Sequence, residues 1–144
     1  MSVLTTGEME KKVKEEYAAF LDQTDISYMN NSNGFYVSIP LKNIKESFTQ
    51  ICGYTDGKVL VTDYCGECGT GIRLAKQVAK AIQQQYRDCR IAVEHYGASF
   101  EIDIYHQVEY TTAAALHEHV VYVAHIADEG FRIGKEMLGE RFFK

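Results

Sequence analysis

The spacing of apolar residues switches back and forth along this chain between the helical period and the strand period. A backbone that obeys such a pattern must set helices against antiparallel strands. Met9, Val13, Tyr17, Phe20 and Leu21 recur at helical spacing behind Thr5 and Glu8. That pair forms a capping-box pattern, in which hydroxyl and carboxylate each satisfy the other's free backbone amide. The spacing predicts a first helix over 7–22. Phe35, Val37, Ile39 and Leu41 then alternate with Tyr36, Ser38 and Pro40 after the turn-rich run 30–34, which predicts a hairpin. A third run, Phe48 to Tyr54, meets a fourth, Lys58 to Tyr64, across Asp56-Gly57, a dipeptide suited to the type I′ turn.

Helical spacing returns over residues 70–87, where Ile72, Ala75, Val78, Ala79, Ile82 and Tyr86 share an arc of about 120°. Two more strands are expected, Arg90 to His95 and Ser99 to His106, around a Gly97-Ala98 turn. The last segment, from Thr112 to about Phe142, carries Leu116, Val120, Val123, Ala127, Phe131 and Leu138 on one side of a long helix. The expected fold is therefore α+β, one domain over residues 1–144, with an antiparallel sheet flanked by helices in the order α-β-β-β-(β)-α-β-β-α. A straight final helix of some 30 residues would run about 45 Å, against a diameter of about 37 Å for a domain of this length. It must overhang or break. Gly130 and Gly134 are expected to allow close packing there, with Met137, Leu138 and Phe142 covering apolar surface.

This order of elements resembles the secretion-chaperone-like fold, and within it the YbjN-like proteins. The resemblance is carried by residues 34–39 (GFYVSI) leading to 56–61 (DGKVLV), then by residues 100–104 (FEIDI) running into Thr112 and Leu116. It implies an open antiparallel sheet, frequent homodimers and a protein-binding or regulatory role. Cys65-Gly66-Glu67-Cys68-Gly69 departs from that pattern.

The net charge of −5 argues against a nucleic-acid binder, whose affinity comes from a basic surface that neutralises phosphates. No stretch approaches the roughly 18 apolar residues of a membrane span, and the first residues lack the basic region and apolar run of a signal peptide. A cytoplasmic protein with reduced thiols is expected, with no cofactor and no membrane partner. No nucleophile elbow, phosphate-cradling loop or dinucleotide fingerprint occurs in the sequence, so no enzyme is expected.

What remains is a set of surfaces. Arg73, Lys76, Lys80 and Arg87 fall within about 60° of one another on the second helix, and a basic stripe on an acidic chain suits an acidic partner or the acidic hairpin of a second copy. The Gly97-Ala98 turn sets Glu94 opposite Glu101 with Asp103 diagonal to them; carboxylates so close could serve acid–base chemistry or hold a hard cation, but no nucleophile or electrophile accompanies them, and a solvated acidic face, open to a partner's contact, is expected. Cys65 and Cys68 have the spacing of half a zinc site or a redox pair, yet fall beyond the fourth strand, where solvent-facing loop thiols are the expectation. Cys52, placed opposite Val61 by the Asp56-Gly57 turn, would lie roughly 13 Å from Cys65, too far to share a metal. His117 and His119 sit two residues apart and so point about 200° apart around a helix, while His95 and His106 are expected at hairpin ends.

Overall fold

Thr5 caps the first helix as its pairing with Glu8 predicts: the Thr5 hydroxyl accepts from the Glu8 amide, and the Glu8 carboxylate from the Thr5 amide. In this computed structural model, which describes residues 4–69 and 71–144 and only the backbone at Glu46, α1 spans Thr6–Leu21. It buries Met9, Val13, Tyr17 and Leu21, the stripe that spacing picked out. The strands are β1 (Tyr28–Asn31), β2 (Gly34–Pro40), β3 (Glu46–Thr55), β4 (Lys58–Cys68), β5 (Arg90–Tyr96), β6 (Ser99–Glu109) and the short β7 (Phe142–Phe143). They form one seven-stranded antiparallel sheet in the order β1-β2-β3-β4-β6-β5, with β7 against β4. The helices α2 (Ile72–Gln85) and α3 (Ala113–Leu138) complete the α+β fold. Residue 70, placed at the start of the second helix by spacing, lies outside the described residues.

All three helices pack on one face of the sheet. Phe35, Val37, Ile51, Val59, Val61, Ile102 and Ile104 point into that core, while Tyr36, Gln50, Thr62, Asp103 and Tyr105 line the opposite, uncovered face. The alternation read along the chain is thus an alternation between a helix layer and solvent.

Two bulges interrupt that alternation, and both correct the sequence-based register. Thr55 pairs with Lys58 around Asp56 and Gly57, whose φ of 54° and 72° fit the expected turn. Between that pair and the next, β3 spends two residues against one of β4, with Gly53 at φ 61°. Cys52 therefore faces Leu60 rather than Val61, and Tyr54 turns into the core. On β4 the extra residue is Cys65: Tyr64 pairs with Asp103, but Gly66 pairs with Ile102. β4 does not end at Tyr64 as expected. It runs on to Cys68 because β6 and β7 hydrogen-bond it on both sides. β6 is also longer than predicted, so His106 lies inside the strand, opposite Val61, and not at a hairpin end.

The final helix has 26 residues, about 39 Å of rise. Thr112 caps it, accepting from the Ala115 amide. It does not break at Gly130. It stops at Gly139, whose φ of 61° reverses the chain through a short 3-10 turn into β7. Phe142 thereby enters the core with no exposed surface, between Gly134 and Gly66. Gly130 lies against Cys65, where an added Cβ would stand 2.5 Å from the sulfur and 3.0 Å from Ile82 Cδ1. Leu138 is buried as expected, whereas Met137 is 42% exposed, on the far side of the last turn. A further tie is Asp128, buried on α3, whose carboxylate accepts from the Asn43 amide at 2.8 Å, the Ile44 amide at 2.9 Å and Asn43 Nδ2 at 2.9 Å. It pins the β2–β3 connection to the helix.

Gly130→Val forces two methyl groups into Cys65 and Ile82, and should cost about 2 kcal/mol or more through overpacking. Gly7→Ala, with open space around it in the first turn of α1, should be neutral or slightly stabilising. Urea midpoints of the two variants check the contrast.

Candidate functional site

β5 forms one edge of the sheet, with β6 on one side and no strand on the other among the described residues. Its outward-facing backbone groups belong to Ile91, Val93 and His95, because the Ile91 amide turns away from β6 and donates to Gln83 Oε1 at 3.0 Å. Gln83 also donates to the carbonyls of Tyr86 at 2.8 Å and Cys89 at 2.7 Å. One side chain of α2 thus closes the first position of the edge and leaves Val93 and His95 open.

Beside that edge, α2 and β5 bound a groove of about 490 Å³. Ala79, Ile91 and Val93 make its apolar floor, and Lys76, Lys80 and Arg87 its basic rim. Arg87 is not on the helix as the periodicity suggested. α2 ends at Gln85, and Arg87 reaches the groove from the turn that follows. Arg73, exposed in the first turn, does not line the groove. None of the four makes an ion pair with a described residue.

The opposite face of the same edge is acidic. Glu94 pairs with Glu101 as the turn predicts, and Glu101 pairs in turn with Glu67, so three carboxylates cross β5, β6 and β4 in a row. Asp103 stands beside them, opposite Tyr64 and Ala92. Glu67 joins this row only through the pairing of β4 with β6, since its segment reads as a loop by sequence alone. Tyr105 donates to Glu94 at 3.2 Å, and the Arg90 guanidinium lies 4.2 Å above the Tyr105 ring. Burial, then the neighbouring Glu101 and Glu94, push the Asp103 carboxyl from 3.8 up to about 7, and burial with Glu67 raises Glu101 as well.

The cysteine pair does not lie in a solvent-facing loop as its position after Tyr64 suggests. Cys65 and Cys68 are fully buried core residues, because the bulge at Cys65 turns two side chains three apart onto the same face of β4. Burial pushes the Cys65 thiol well above its ordinary value, which makes it a poor nucleophile. Nearby Asp63 is buried too, accepting from Ser47 and, at 2.9 Å, from Thr49, with Lys144 Nζ at 3.7 Å. The histidines diverge as their spacing requires: His117 Nδ1 shares a 2.8 Å hydrogen bond with the Tyr17 hydroxyl on α1, while His119 faces His106 on β6.

No protein-family model and no curated protein matches the sequence. Among solved structures, the chain is similar to YbjN from E. coli, a proposed transcription regulator, with a TM-score of 0.64 over 99% of both chains at 9% sequence identity. The fold is YbjN-like. At that identity the likeness is one of architecture, and it covers the helix layer and the sheet together.

Two outcomes follow. Cys65→Ser with Cys68→Ser should lower stability by about 1–3 kcal/mol for each buried hydroxyl left without a partner, read as a fall in the urea midpoint. Asp103 carries an extra proton in the folded state between pH 3.8 and about 7, so its contribution to stability falls as pH rises through that window. Asp103→Asn should melt like the wild type near pH 4 and above it at pH 8, in parallel thermal scans.

Proposed function

We propose that this chain is a non-enzymatic binding protein of the YbjN-like group, which takes an extended acidic segment of a partner protein as an added strand along β5. The observation that carries this reading is the coincidence, on one edge, of outward backbone groups at Val93 and His95 with a groove that is apolar in its floor and basic on its rim. Main-chain hydrogen bonds to an edge supply affinity, and the side chains that alternate into a neighbouring groove supply specificity. A segment alternating aliphatic and acidic residues meets both: the aliphatic groups fill the space over Ile91 and Val93, and the carboxylates reach Lys76, Lys80 and Arg87.

Charge favours such a partner over a second copy. Antiparallel pairing of two β5 edges would set helix layer beside helix layer, and so basic rim against basic rim. It would also bring the two acidic rows together. The homodimer implied by the resemblance is better served by the open face of the sheet, where Met29 and Phe48 are 50% and 53% exposed beside Tyr36. A regulatory role agrees with the description carried by the structural neighbour.

A fluorescent peptide of alternating valine and glutamate, titrated with the full chain at low salt, tests this. Binding should weaken at least tenfold, about 1.4 kcal/mol, in Lys76→Glu with Lys80→Glu, and should weaken as salt rises. Val93→Pro should also weaken it. That change removes an amide directed away from β6 and leaves the β5–β6 ladder intact. Binding untouched by either variant would remove the edge from the proposal.

A further inference from the structure

The turn between α2 and β5 brings together side chains that the binding reading does not use. Asp88, Cys89 and His106 each present a ligand atom, and the three atoms lie within 4.8 Å of one another. In a tetrahedral zinc shell, bonds of about 2.0–2.3 Å hold ligands about 3.5 Å apart. Small side-chain rotations would close that difference.

The groups around these three are arranged as a second layer that orients ligands. The Tyr122 hydroxyl, from α3, lies 2.8 Å and 3.0 Å from the two oxygens of Asp88 and fixes its carboxylate. Its ring packs edge-on to His106, with centroids 5.7 Å apart. His106 Nε2 is 3.3 Å from His119 Nδ1. His106 Nδ1 is buried and makes no hydrogen bond of good geometry, although the Asp88 backbone lies close to the ring. An unsatisfied buried nitrogen is costly, and here the other ring nitrogen is engaged. A metal-bound imidazole divides its two nitrogens in this way, one toward the ion and one toward a neighbouring polar group.

We propose that Asp88, Cys89 and His106 form a three-ligand site for a borderline divalent cation of the zinc class, with its fourth position open. One oxygen, one sulfur and one nitrogen donor suit zinc or cobalt. Calcium and magnesium, which need a cage of oxygens, are poorly served. Asp88 is exposed and gives the ion an entry, while Cys89 is buried beneath it. An ion that binds Cys89 displaces the thiol proton to solvent, and a thiolate–metal bond replaces S–H.

Cobalt(II) titration of chelator-stripped full-length protein tests the site. One equivalent should produce a thiolate-to-cobalt charge-transfer band, and one equivalent of zinc should abolish it. Cys89→Ser should remove the band, and His106→Gln should weaken cobalt binding at least tenfold. Cys52→Ser, whose sulfur lies on the other face of the sheet, should leave the band intact. Should the buried Cys89 variant fail to fold, Asp88→Asn, at an exposed turn position, is expected to weaken binding by a similar factor without altering the circular dichroism spectrum. Absence of the band in the wild type, its survival in a folded Cys89→Ser variant, or unchanged affinity in both His106→Gln and Asp88→Asn would overturn the proposal.

Discussion

The packing of Phe142 into β4 is the contact on which the rest of the architecture depends. β4 pairs with β3 and β6 along its length and with β7 at its end, and α3 lies across it. At Cys65 it takes in an extra residue, and at Gly66 it has no side chain, so the strand presents a dent to the helix layer. Gly134 presents a matching dent on α3. The Phe142 ring fills the space between them, and the reversal at Gly139 exists to deliver it there. Helix, strand and chain terminus are joined at one point, where volume changes of a methyl group are felt.

That arrangement also explains why helices cover only one side of the sheet. With α1, α2 and α3 all engaged on the inner side, the outer side is left to aromatic, polar and acidic residues, with the acidic row at one end and Met29 and Phe48 at the other. The edge at β5 lies where these two environments meet. It is basic toward the helix layer and acidic toward solvent, an asymmetry that would give the proposed incoming strand both a direction and a preferred sign of charge.

Period-based reasoning found the helices and most strands because their apolar faces are regular, and it found the Asp56-Gly57 and Gly97-Ala98 turns because their backbone geometry is encoded locally. It failed where register depends on tertiary pairing. Gly53 and Cys65 bulge only in the context of neighbouring strands, so periodicity sets Cys52 against Val61 instead of Leu60 and leaves Cys65 and Cys68 in a loop. The basic stripe was legible on α2 apart from Arg87, which reaches the groove from the turn beyond the helix. Glu67 and the cluster of Asp88, Cys89 and His106 could not be seen at all, because their members meet only through the β4–β6 pairing and the turn into β5.

Gln83 has a consequence for solubility. A bare strand edge is a template for any other strand, and natural sheets guard such edges with charge, short length or a covering group. Here the glutamine amide plugs one end of β5, while like-charged rims would repel an identical edge approaching from a neighbouring molecule. The same side chains that leave room for a foreign strand thus discourage the chain from polymerising with itself. On the proposed function, an edge kept open for a partner would need that separation between the chain it admits and the copy it turns away.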